Sequence, residues 1–377
     1  MNVKELRWSE GALDDWRNVG DPEADRVAEE MEERGAWASI NRVLHSMQRN
    51  DSPAPADLPA PVRAYFEDTL RMPTWADAGA LARAQEVFAR QGPWIILALH
   101  CASLPYSYGA AKGVKVLHFT GKLHRHPRRR LLNTAQFVVD VMSPGSFGPD
   151  GHAIRSAQKV RLLHAAVRGQ LARNDQWEAP WGMPLNQEDL AGTLLCFSWI
   201  ALEALPKMGI SVRPDDVDAY LHAWRVAGAL LGIDNALLAD GAVEHARLKT
   251  IIERRQLASS TEGHVLTSSL VEYLDGLLNP PGIRGIPAAL IRLFLGDRVG
   301  DLLGVAEPAR SRLVRHPLRL GAMLVNRAMD RAPLLARAPE VLGRRLLERM
   351  CRPEHASDRA HFEIPETLQR RWATLGR

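Results

Sequence analysis

His164 is the residue with the most chemistry around it. In the run Lys159-Val-Arg-Leu-Leu-His-Ala-Ala-Val-Arg168, helical spacing places Arg161 and Arg168 on one stripe with His164, and Val160, Leu163 and Val167 on the apolar stripe beside it. A histidine flanked by two cations gives up its proton readily, which leaves a lone pair free for a metal. The two guanidinium groups suit the carboxylates of a bound ligand. The same spacing also fits a partly buried histidine whose arginines find carboxylates on other helices.

A second cluster lies upstream. Pro127 stands in a favourable first-turn position and Ser143-Pro144-Gly145 ends the segment, so a helix is predicted between them. On it Arg130, Thr134 and Phe137 share a face, with Asn133 beside them. Small polar donors among apolar residues could orient a molecule as small as O2. An ordinary polar contact between helices would use the same residues.

Several common routes to chemistry are missing. No G-x-G-x-x-G, G-x-x-x-x-G-K-[ST], G-x-S-x-G or H-E-x-x-H occurs, and no Glu is followed three positions later by His, so dinucleotide, P-loop, serine-hydrolase, zincin and di-iron bundle signatures are all absent. Cys101, Cys196 and Cys351 never form a C-x-x-C pair, which removes zinc ribbons, thioredoxin-type sites and c-type haem attachment. For a helical chain, a haem held by one histidine is a leading remaining option: it needs an imidazole and an apolar slot.

The elements that must position these residues are helical. Leu, Ala, Ile and Trp recur at i, i+3, i+4 and i+7, and alternating Val/Ile/Thr runs are scarce, so the fold is read as all-α. Predicted helices are Ala76–Gln91, Trp94–Leu104, Arg128–Met142, Ala153–Arg173, Gln187–Met208, Asp215–Leu231 and Asp240–Ala258, with more between Ser259 and Arg377. Asp51-Ser-Pro-Ala-Pro-Ala-Asp-Leu-Pro-Ala-Pro-Val62 reads as an extended linker. Three regions follow: N-terminal helices and linker over 1–64, a haem-binding domain over 65–305, and an Arg-rich helical extension over 306–377, read as a solvated amphipathic face or an anionic-surface contact.

Composition sets further bounds. The 377 residues are 46% hydrophobic and 24% charged with a net charge of +4, which fits a globular chain and is too weakly basic for a nucleic-acid binder. The acid-bearing start MNVKELRWSEGALDDW does not read as a signal peptide. No run of about 18 uninterrupted apolar residues occurs. The expectation is a cytoplasmic protein that does not span a membrane, with peripheral membrane contact left open.

Taken together, these segments resemble the latex-clearing protein (rubber oxygenase) and MpaB-type oxygenase family. The resemblance rests on Arg130-Leu-Leu-Asn-Thr134, on Val160-Arg-Leu-Leu-His164-Ala-Ala-Val-Arg168, on Gly182-Met-Pro-Leu-Asn-Gln-Glu-Asp-Leu-Ala-Gly-Thr193 and on Tyr220-Leu-His-Ala-Trp-Arg-Val-Ala-Gly228, in this order, and covers about residues 65–305. It implies a single large helical domain, globin-like in packing, around one b-type haem, with O2 used on isoprenoid double bonds. His164 then corresponds to the proximal iron ligand, Arg161 and Arg168 to its polar neighbours, and Arg130, Asn133 and Thr134 to the distal side. Asn186, Glu188 and Asp189 are explained by helix capping and the helix dipole.

Two departures bear on mechanism. The rubber-cleaving members carry a Lys before the Thr, where this chain has Asn133, and an upstream Glu regarded as a base; from Val87 through Val139 this chain has no Asp or Glu. The resemblance thus implies a haem oxygenase acting with O2 on a small apolar molecule, isoprenoid, terpenoid or lipid. A haem protein that binds or senses O2 without turnover is the alternative, and a helical interaction protein without cofactor is a third.

Overall fold

A computed structural model of the chain describes residues 8–35, 47–120, 127–278 and 285–307, the side chains of 127–130 and 278 excepted. The Arg-rich region 306–377 lies almost wholly outside the described residues, as do His124, His126 and Cys351. All elements among the described residues are helical, apart from an isolated antiparallel bridge between Ala110 and Leu257. In chain order they are α1 (Glu10–Trp16), α2 (Pro22–Glu33), α3 (Ala60–Asp68), α4 (Ala78–Ala98), α5 (Leu104–Tyr108), α6 (Val114–Phe119), α7 (Pro127–Met142), α8 (Ala153–Ala172), α9 (Gln187–Leu195), α10 (Ala201–Lys207), α11 (Pro214–Leu230), α12 (Gly241–Gln256), α13 (Thr261–Leu278) and α14 (Ile286–Leu302).

Helices α4 and α9 start where the sequence provides a cap. Asp77 and Asn186 accept hydrogen bonds from Ala80 N and Asp189 N, which satisfies donors that the first turn leaves without helical partners. Two expected breaks do not occur. Pro93 sits inside α4, and a π-helical turn, Leu99–Ser103, carries the chain on into α5, so Ala78 to Tyr108 is one continuous run. A second π turn, Cys196–Ile200, joins α9 to α10. The two π turns pack together, with Ser103 Oγ donating to Cys196 O at 2.6 Å. An extra residue in a helical turn frees a carbonyl, and here a buried serine satisfies it.

Two hydrophobic clusters form the interior. The larger gathers α4, α7, α9 to α14 and Trp8 and Leu13 of the N-terminal arm around the fully buried Trp224. The smaller joins Ala24, Val27, Ala28 and Met31 of α2 to Val62, Tyr65 and Phe66 of α3 and to Leu162, Ala165, Ala166 and Leu171 of α8. Helix α8 therefore lies between two cores, since its Ala153, Ala157 and Val160 belong to the larger one. The N-terminal helices pack into both cores. The Pro/Ala-rich segment is likewise held: Asp51 N donates to Pro149 O at 3.0 Å, Arg155 donates to Ser52 O at 2.6 Å, and Leu58 is buried.

Gln187–Lys207 is long and apolar enough to cross a membrane by length and composition. Its most apolar stretch is 61% buried, and its Glu188 is fully enclosed in ion pairs, as in a core helix.

Candidate functional site

Helices α7 and α8 are joined by the turn 143–152 and tied beside it by Ser156, whose hydroxyl donates to Asp140 Oδ2. Gln136, one turn back along α7, donates to Asp140 Oδ1 at 2.7 Å. Burial pushes the Asp140 carboxyl above its usual range, against these two hydrogen bonds. Counted from the tie, Asn133 lies about 10 Å along one arm and His164 about 12 Å along the other, at ~1.5 Å per residue. The pair of helices thus stands the donors of α7 level with the imidazole of α8.

His164 is half-buried and its Nδ1 is enclosed. On the apolar stripe beside it, Ala157 and Val160 before it and Val167 and Leu171 after it pack into the two cores. Arg161 and Arg168 flank it as expected, but protein carboxylates meet their charges. Arg161 Nη2 bonds Asp21 Oδ1 at 2.8 Å and Glu23 Oε2 at 2.7 Å, and its Nε also donates to Asp21. Arg168 pairs with Asp25 and donates to Leu185 O at 3.1 Å. Leu185 is a non-glycine residue at φ 51°, a costly conformation that turns its carbonyl toward that arginine. Of the two partners that the spacing left open for these arginines, carboxylates of a bound ligand or of other helices, the carboxylates they meet here belong to the N-terminal arm. With their charges answered, neither arginine acts on His164 as a bare cation.

On α7, Asn133 and Thr134 are half-buried, and Phe137 is buried with its ring 6.3 Å from that of Trp224. Phe197, from the second π turn, stacks on Trp224 at 5.0 Å. The donor-bearing stretch of α7 therefore adjoins an aromatic cluster. Arg130 lies on α7, and its side chain is outside the described residues.

Other imidazoles are placed differently. His100 is buried in the first π turn with Nδ1 2.8 Å from Ile96 O. A carbonyl can only accept, so Nδ1 carries the proton and Nε2 keeps a lone pair. Burial lowers the His100 pKa, which favours the neutral ring. It is a second candidate ligand. His152 caps α8 at the surface, and His118 ends the short α6.

Asn186 caps α9 as expected, while Glu188 and Asp189 do more than favour a helix dipole. Arg17 Nη1 lies 3.2 Å from Glu188 Oε2 and 3.0 Å from Asp189 Oδ1, and Arg255 Nε is 2.7 Å from Glu188 Oε1. Gln187 donates to Gly20 O and Gly232 O at 2.8 and 2.9 Å. This segment is a buried junction between the N-terminal arm, α9 and α12. The acids Asp21, Glu23 and Asp25 were not singled out from the sequence, because nothing local in Asp21-Pro-Glu-Ala-Asp25 names partners about 140 positions away.

An all-helical body with an imidazole on one arm of a tied helix pair and small donors on the other defines the class of site. The family described as ER-bound oxygenase mpaB/B'/rubber oxygenase, catalytic domain, matches residues 96–377, and the chain belongs to it. The rubber oxygenase of Streptomyces sp. (strain K30) is 31% identical over 304 residues, 78% of this chain and 73% of that protein. A solved structure of latex clearing protein in the closed state aligns with a TM-score of 0.71 at 25% identity, covering 88% of this chain and 90% of the other.

Proposed function

We propose that the protein is a haem b-dependent oxygenase that uses O2 on a small apolar substrate, isoprenoid, terpenoid or lipid. Membership of an oxygenase family whose relative is a rubber oxygenase supports the reaction class. The observation that carries the reading is the tied pair α7–α8, with His164 on one arm level with Asn133 and Thr134 on the other. The donor set fits the group: a half-buried imidazole beside an apolar stripe on α8, and a hydroxyl and an amide, both half-buried, on the neighbouring α7. When bound, the haem iron would be held by His164 and would supply the activation of O2.

The chain's own residues do the rest. Asn133 and Thr134 donate hydrogen bonds that orient O2, and the aromatic cluster of Phe137, Phe197 and Trp224 offers apolar surface beside them. No carboxylate lies between Val87 and Val139, so substrate activation rests on positioning and not on a base from that stretch. That same feature, with Asn133, favours the second reading, a haem protein that binds or senses O2 without turnover.

The test is the haem content of full-length protein expressed with haem precursor, read by the Soret band and pyridine haemochrome, followed by O2 uptake with an isoprenoid substrate. A colourless protein sinks both readings. Stoichiometric haem with no substrate-dependent uptake leaves the sensor.

A further inference from the structure

We propose that Asp21, Glu23 and Asp25 of the N-terminal arm are positioning residues for the His164 site, cancelling the two positive charges that flank it and so setting the reduction potential of the iron. This rests on the reading of His164 as the haem ligand. The arm lies before residue 96, where the family match begins.

The geometry is specific. Arg161 stands one turn before His164 and Arg168 one turn after, which puts each within ~5–6 Å between Cβ atoms. Both guanidinium groups are largely buried, with side chains 11% and 4% exposed, and so is Asp21 at 4%. Solvent and salt screen such charges weakly. Asp21 is fixed twice over, since it caps α2 by accepting from Ala24 N at 3.3 Å while it binds Arg161. Asp25 Oδ2 accepts from Asp21 N at 3.0 Å, which closes the acids into one unit. The Tyr65 ring covers Arg161 with its centroid 5.7 Å from the guanidinium carbon.

Two glycines leave room for the pairs. A Cβ on Gly232, at φ +78°, would overlap Arg161 Nε and Asp21 Oδ2; one on Gly20 would come within 2.7 Å of Asp25 Oδ2 and 2.8 Å of Arg168 Cδ. Removal of an acid would leave a buried guanidinium one helical turn from the iron ligand. An unanswered positive charge there favours the reduced, less positive iron.

The test is a spectroelectrochemical titration of haem-loaded full-length protein. Asp21→Asn and Asp25→Asn should raise the reduction potential, and Glu23→Gln should raise it less, because its side chain is 41% exposed. The double variant Asp21→Asn/Arg161→Gln should return toward wild type, since both charges are gone. A purely structural role would lower the unfolding midpoint and leave the potential in place. If Asp21→Asn does not fold, Glu23→Gln must still give a shift of the same sign. Unmoved potentials in variants with full haem overturn the inference alone. Wild type without haem, or His164→Ala with an unchanged spectrum, overturns the functional reading and this inference with it.

Discussion

The two arms of the α7–α8 pair are held by opposite means. On α8, two buried arginines and the half-buried Arg161 reach out of the helix to fixed partners: Arg155 to Phe66 O and Ser52 O at 3.0 and 2.6 Å, Arg161 to Asp21 and Glu23, and Arg168 to Asp25 and Leu185 O. On α7, the buried residues are Leu131, Ala135, Phe137, Val138, Val141 and Met142, with Asp140 as the polar tie. Charge-assisted hydrogen bonds have direction, so they fix the rotation and height of α8. Apolar packing fixes α7 less narrowly. An arm that must aim a ligand atom is keyed to the frame, whereas an arm that offers donors needs to stand at the right level.

His164→Ala tests the sharper side of this contrast and carries the largest expected effect, loss of haem measured as pyridine haemochrome per chain. His100→Ala, His118→Ala and His152→Ala should retain it; if His100→Ala loses haem and His164→Ala does not, the ligand sits in the π turn. Next comes the junction that anchors the arm. Glu188→Ala strips two buried arginines of their shared partner, and breaking buried pairs of this kind costs about 3–5 kcal/mol in urea unfolding.

The less tightly keyed arm should respond in rate before stability. Thr134→Val should keep haem and fold while slowing substrate-dependent O2 uptake ~10²–10³-fold, the usual cost of one lost donor. Unchanged uptake would remove α7 from the O2 side. Ser156→Ala, which unties the arms and deprives Asp140 of a donor, should cost about 1–3 kcal/mol.

The smallest effect concerns Lys159 on α8, whose amine burial pushes down to about 8, with Asp140 opposing the shift. Between pH 8 and the ordinary lysine range the unfolded chain binds the proton and the folded protein does not, so stability should rise with pH across that window. Lys159→Met should flatten the rise in urea midpoints; an identical slope would mean that the amine is solvated in the fold.

Much of this was legible in the sequence because it depends on neighbours along the chain. The bounds of α7 and α8 follow from Pro127, from Ser143-Pro144-Gly145 and from apolar periodicity, and the stripe Arg161, His164, Arg168 follows from helical geometry alone. Continuity through Pro93 was not legible. A proline argues locally for a break, and the packing of α4 against α11 outweighs its lost hydrogen bond.

By itself, then, the sequence determined the all-helical class, the motifs of its family and which residues share a face with His164. Tertiary structure alone decided what answers those residues. Arg161 meets Asp21 across 140 positions and Arg17 meets Glu188 across 171. A helix repeat fixes where a side chain points, but an ion pair between distant segments depends on how whole helices dock, and that is set by the shape of two hydrophobic cores.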